Sequence, residues 1–147
     1  QVNVDYPDIA SERRILLETT GAEEATASPV LSAARLMEIQ TLIRKMPVSE
    51  SVLEAILALV RAARAGEGHA DTDRDVAWGP GPRAGQSLML TARARALYQG
   101  RLAPSVDDVR ALAGPVLQHR MALTFAARAE GKTVTDVIAA IAQRDFN

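Results

Sequence analysis

The residues best suited to chemistry sit in one short stretch, Gly79-Pro80-Gly81-Pro82-Arg83-Ala84. A Gly/Pro-rich turn there leads into a helical segment with an arginine in its first turn. A helix N-terminus offers unpaired N–H groups and a partial positive charge, and a guanidinium adds a planar, always-charged donor fork. That combination attracts phosphate. At about 100° per residue, Arg83, Gln86 and Arg93 fall within an arc of roughly 80°, so one helix face presents two cations and an amide. Spacing alone still favours an ordinary solvated polar face.

No other chemistry is complete. The sequence holds no Gly-rich loop ending in Gly-Lys-Ser/Thr, no apolar strand ending in paired acids for magnesium, no Gly-x-Gly-x-x-Gly and no local Ser/His/Asp signature. Cysteine is absent, which rules out disulfides and thiolate metal sites. His69 and His119 lie far apart without ligand-like spacing, and no metal site is expected. Asp107-Asp108 is an acidic pair, but its place in a helix first turn makes it a capping feature, because acids favour the positive end of the dipole. With 48% hydrophobic and 24% charged residues the chain has a normal globular balance, and its formal net charge of -1 gives no electrostatic case for nucleic acid or an anionic membrane. No signal peptide opens it and no apolar run is long enough to span a bilayer, so a soluble, cytoplasmic protein is expected. It begins at Gln1 with no methionine before Met37, which reads as a piece of something longer.

Elements that would position these residues are helical by periodicity. Val2 to Tyr6 alternates like the tail of a strand. Asp8 caps a helix to about Thr19, and Gly21 to Pro29 reads as a loop. Ser32 opens a second helix carrying Leu36, Ile39, Ile43 and Met46, stopped by Pro47. Ser51-Val52-Leu53-Glu54 is a capping box for a third, with Val52, Ile56, Leu57, Val60 and Ala63 as its buried stripe. Gly66 to Gly81 reads as the longest irregular stretch. A fourth helix spans about Pro82 to Gln99, its alanines suiting close neighbours, and Gly100 ends it. Ser105 starts a fifth, which Gly114-Pro115 should break; another runs from about Val116 to Ala129, and a last begins at Thr133. The expected fold is an all-α bundle of about six helices, possessing at most a short N-terminal strand, in one domain over residues 1–147.

Several motifs, in order, resemble the C-terminal lid of the MoxR family of AAA+ ATPases. Gly79 to Ala84 is similar to the family's Gly-Ala-Ser-Pro-Arg-Ala motif, which carries the sensor 2 arginine. The likeness continues through Ala92-Arg93-Ala94-Arg95-Ala96-Leu97, Gly100-Arg101, Asp107-Asp108-Val109 and Val116-Leu117-Gln118-His119-Arg120. Tyr6-Pro7 with Glu12-Arg13-Arg14-Ile15-Leu16 resembles the junction where the nucleotide-binding core passes into the lid.

The resemblance implies that Arg83, with Pro82 and Gln86 beside it, reaches the γ-phosphate of ATP. The phosphate loop, the magnesium-holding acids and the arginine finger would belong to a core upstream of Gln1, so this piece alone should not hydrolyse ATP. It also implies a homo-oligomeric ring, usually a hexamer, and chaperone-like work, often alongside proteins with a von Willebrand A domain. Pro80-Gly81 departs from the usual Ala-Ser, removing a capping serine; glycine still serves as an N-cap, and the extra proline stiffens the turn. The motif's His119 and Arg120 are expected to hold the helix pair or face a neighbour, and Trp78 to anchor the core or the lid's edge. The alternative function is a stand-alone helical interaction module; a DNA-binding domain is disfavoured by the charge.

Overall fold

A computed structural model describes residues 2–22, 26–67 and 69–145. The described residues form eight helices and one two-stranded sheet: α1 (Ile9–Thr19), α2 (Ala33–Lys45), α3 (Glu50–Ala62), α4 (Ala70–Asp75), β1 (Val76–Trp78), α5 (Pro82–Tyr98), α6 (Val106–Leu117), β2 (Ala122–Leu123), α7 (Phe125–Ala129) and α8 (Val134–Asp145). The all-α reading holds, with two short helices beyond the expected six. No helix among the described residues is long and apolar enough to cross a membrane.

The core gathers around α5. Ala84, Leu88, Ala92 and Ala96 are fully buried at successive fourth positions, so they form one straight ridge of mostly small side chains. Small residues let α3 and α6 approach closely. They contribute Val52, Ile56, Leu59 and Val60 on one side and Val109, Ala113, Val116 and Leu117 on the other. Ile138 and Ile141 of α8 close the cluster. Leu57, expected inside, is instead 46% exposed, because it stands about 100° away from Ile56 around the helix.

Several caps match their sequence signals. The carboxylate of Asp8 accepts the Ser11 N–H at 2.7 Å, Ser32 accepts from Arg35, and Ser105 and Asp108 form a reciprocal box at the start of α6. Thr133 and Asp136 make the same exchange before α8. The Ser51–Glu54 box fails. α3 starts at Glu50 with Ser49 as N-cap and no side-chain cap bond, and the hydroxyls of Ser49 and Ser51 lie 2.9 Å apart in a bond of their own.

Four other expectations need correction. Val2 to Tyr6 pairs with no strand; instead the Asn3 side chain exchanges amide hydrogen bonds with Gln118. The stretch expected to be irregular holds α4 and β1, which local sequence alone would not sustain. Its Thr72 hydroxyl is buried and donates to the Ala62 carbonyl at 2.9 Å. Pro115 does not break α6, which continues to Leu117. The carbonyl that loses its N–H partner, four residues back, belongs to the exposed Ala111, where water can satisfy it. The single helix expected over 116–129 is interrupted by β2, which pairs antiparallel with β1 through Val76–Leu123 and Trp78–Ala122.

α1 buries no residue, and neither does α2 within its span. Leu16, Leu17, Met37 and Leu42 are each more than half exposed. The stripe read for α2 is partly real: Ile39 and Ile43 are half-buried and Met46 is buried, while Leu36 is exposed.

Candidate functional site

The site builds from the turn that feeds α5. Gly81 is the N-cap in an extended conformation, with no side chain to cap the helix, and Pro82 occupies the first turn. Pro82 and Arg83 are exposed. The Arg83 side chain makes no hydrogen bond or ion pair with any described residue, and its carbonyl accepts from the Ser87 hydroxyl at 2.9 Å. A free guanidinium therefore projects from a helix N-terminus with no side-chain acceptor on its first amides. That is an anion-binding arrangement.

Gln86 lies one turn further on, also exposed. Together with Pro82 it borders a groove of about 430 Å³ between α3 and α5, whose walls include Leu53, Leu57 and Met89. Arg93 does not join them. Its Nη1 donates to the Arg44 carbonyl at the end of α2, at 3.3 Å, and its Nε is buried with no partner among the described residues. Ten residues of helix put it roughly 15 Å along the axis from Arg83. The shared face read from angles alone ignores this rise and the pull of the carbonyl end of α2. Arg93 is a docking residue for α2.

The other basic residues around α5 are also structural. Asp108 is fully buried and accepts from Arg95 at 2.6 Å, from both Nη atoms of Arg101 at 2.7 and 2.6 Å, and from the Ser105 N–H at 2.8 Å. The Arg101 fork, aided by Ser105 and Arg95 and opposed by burial, holds this carboxyl far below the usual carboxylate range. Gly100 makes the geometry possible. Its φ of 74° is left-handed, so the Arg101 N–H returns to the Ala96 carbonyl at 2.8 Å and the chain reverses toward Asp108. Asp108 is thus the cap its position implied, and it is also an anchor that the sequence reading did not foresee.

Gly131, at φ 80°, does the same after α7. It directs Lys132 to the Asp75 carboxylate at 2.8 Å, which Arg74 also grips at 2.7 Å. Those contacts, Arg74 first and Lys132 second against the opposing effect of burial, lower Asp75 to about 2. Arg120 bonds the Val116 carbonyl and the Ser87 hydroxyl at 3.1 and 3.3 Å, tying the end of α6 to the second turn of α5. His119 is exposed, and so is Trp78, at 56%; Trp78 stands at an edge, outside the core.

Sequence reasoning missed Arg64. It follows α3, donates through Nε to the Pro80 carbonyl at 2.8 Å, and borders the same groove as Pro82 and Gln86. Nothing in its local sequence signals this, since the partner carbonyl arrives from a later part of the chain.

A family described as the AAA lid domain matches residues 69–144. The chain is 32% identical over 132 residues to Chaperone MoxR1 of Mycobacterium tuberculosis, a match covering 88% of this chain and 35% of that protein. It is 28% identical over 132 residues to the uncharacterized protein YeaC of Bacillus subtilis, covering 89% and 39% respectively. A crystal structure of a protein described as an ATPase, from Cytophaga hutchinsonii, superposes with a TM-score of 0.83 at 27% identity, over 98% of this chain and 44% of that one. The chain therefore spans 35% to 39% of the length of these curated relatives.

Proposed function

This chain belongs to the AAA lid domain family, as the helical lid of a MoxR-family AAA+ ATPase, and we propose that Arg83 is its sensor 2 arginine, reading the γ-phosphate of ATP bound by the ATPase core. One observation carries the reading. Arg83 is an exposed, unpaired guanidinium in the first turn of a long helix, on a helix end whose N-cap supplies no side-chain acceptor.

The chemistry follows from charge. A γ-phosphate presents oxygens to the Arg83 fork, and charge-assisted bonds of this kind are roughly twice as strong as neutral ones. Gln86 extends the same surface with an amide, and Pro82 shapes the first turn without giving up a needed donor. Once the γ-phosphate leaves, that contact is lost and the lid is free to rotate against the core. Magnesium travels with the nucleotide and is held by the core.

The lid works within a larger protein. Leu16, Leu17, Met37 and Leu42 leave apolar surface on α1 and α2 that no described residue covers, which supports packing of residues 1–147 against the core of the same polypeptide. The full protein would assemble as a ring, a hexamer in the family's usual form. It would couple hydrolysis to chaperone-like remodelling, with a von Willebrand A domain protein as a candidate partner.

The test is ATP turnover by the full-length protein with Arg83→Ala. Losing a charge-assisted donor from a transition-state contact costs about 10²-fold or more in rate, and the exposed side chain should leave the melting temperature unchanged. Turnover equal to wild type would refute the assignment.

A further inference from the structure

We propose that Arg64 is a positioning residue for Arg83, acting through the Pro80 carbonyl to hold the turn before α5 against the end of α3; this rests on the reading of Arg83 as the sensor arginine.

Two separate contacts join that turn to α3. The first is steric. The Gly79 backbone lies so close to the C-terminus of α3 that an added methyl group would overlap the Ala63 carbonyl oxygen and come within 2.8 Å of the Arg64 Cα. The second is the hydrogen bond from Arg64 Nε to the Pro80 carbonyl, 2.8 Å long and partly buried. Pro80 is itself buried. From that anchored carbonyl to Arg83 the chain has little slack, because Pro82 fixes one φ and only Gly81 between them is conformationally free. Whatever holds Pro80 therefore sets where Arg83 starts.

Arg64 is itself oriented. Its Nη1 lies 3.8 Å from Glu67 Oε1, and Glu67 Oε2 takes Arg61 Nη2 at 2.6 Å. A rival reading makes Arg64 a second cation that touches phosphate directly, since it borders the groove shared with Pro82 and Gln86. The geometry points the other way. Nε is committed to a backbone carbonyl, and one arm of the fork faces a carboxylate. A positioning role requires a donor at the ε position, whereas phosphate contact requires the charge.

That difference defines the experiment, carried out on full-length protein. Arg64→Gln places an amide nitrogen at the ε position and removes the charge. Arg64→Met keeps the stem and puts a methyl group there instead, so folding is little disturbed, and thermal melting checks it. Misplacing a reacting contact by about an ångström costs up to about 10²-fold. Arg64→Met is expected to lower kcat for ATP hydrolysis about 10-fold with KM nearly unchanged, and Arg64→Gln to stay within about 3-fold of wild type. In an Arg83→Ala background, Arg64→Met should cause no further loss, because residues acting through one contact are not additive.

Each other outcome also decides. If Arg64→Gln is as slow as Arg64→Met, the charge matters and the positioning role is overturned. Equal losses from Arg64→Met with and without Arg83 would mean a general structural effect, which overturns it too. A crippled Arg83→Ala beside a full-rate Arg64→Met removes this inference alone. Normal turnover by Arg83→Ala removes the sensor reading, and this inference with it.

Discussion

Replacing Asp108 with alanine should be the most damaging single change in this domain away from Arg83. The carboxylate is fully buried and receives five hydrogen bonds: one from Arg95, two from Arg101, and two from the Ser105 N–H and hydroxyl. Removing one partner of a buried ion pair costs about 3–5 kcal/mol, and loss of the helix cap adds about 1 kcal/mol. Against that, the Arg95 and Arg101 side chains are 35% and 37% exposed. Water can therefore solvate the abandoned cations and return part of the loss. The balance is about 3 kcal/mol. For a domain of this size each kcal/mol moves the melting temperature by about 2–4 °C, so Asp108→Ala should melt about 6–12 °C lower. Arg101→Met should be worse than Arg95→Met, since Arg101 binds with both nitrogens of its fork and Arg95 with one. Scanning calorimetry at neutral pH measures all three. A shift below about 2 °C for Asp108→Ala, or a reversed order of the two arginine variants, would refute the account of this cluster as the anchor between α5 and α6.

Other predictions concern acid stability and packing. The folded-state value of Asp75, about 2, lies below the ordinary 3.8, so its stabilisation is complete above about pH 4 and is lost as pH falls toward 2. Asp75→Asn should be less stable than wild type at neutral pH, with the gap closing between about pH 4 and 2; denaturant midpoints that keep a constant gap through that window would contradict this. Ala92 is fully buried on the α5 ridge, so Ala92→Leu should overpack the α3–α5–α6 junction and cost about 1–3 kcal/mol. The exposed Ala111 tolerates the same change within about 0.5 kcal/mol. Equal denaturation midpoints for the two leucine variants would show that the ridge is not tightly packed.

The legible parts of this protein were those written within a few residues. Asp8, Ser32, Ser105 and Thr133 announced helix starts because a cap reaches only as far as the third amide. Gly100 announced a helix end because only a residue without Cβ takes a left-handed φ cheaply. The turn ahead of α5 and the exposed arginine in its first turn are legible in the same way, since both are local features. The errors fell where local preference met a distant partner. Arg93 was grouped with Arg83 by angle, yet the end of α2 claims it. Pro115 read as a break, yet packing of Val116 and Leu117 carries α6 through it.

What the amino-acid order determined by itself was the helical class, most helix starts, and the arginine in the first turn of α5. Each depends on interactions within one or two turns. Tertiary structure alone decided that α4, β1 and β2 exist, that Arg95 reaches Asp108 and Lys132 reaches Asp75, and that Arg64 grips the turn ahead of Arg83. Those contacts join residues far apart in the chain. Their energy comes from desolvated partners meeting in space, and no spacing along a sequence encodes that meeting.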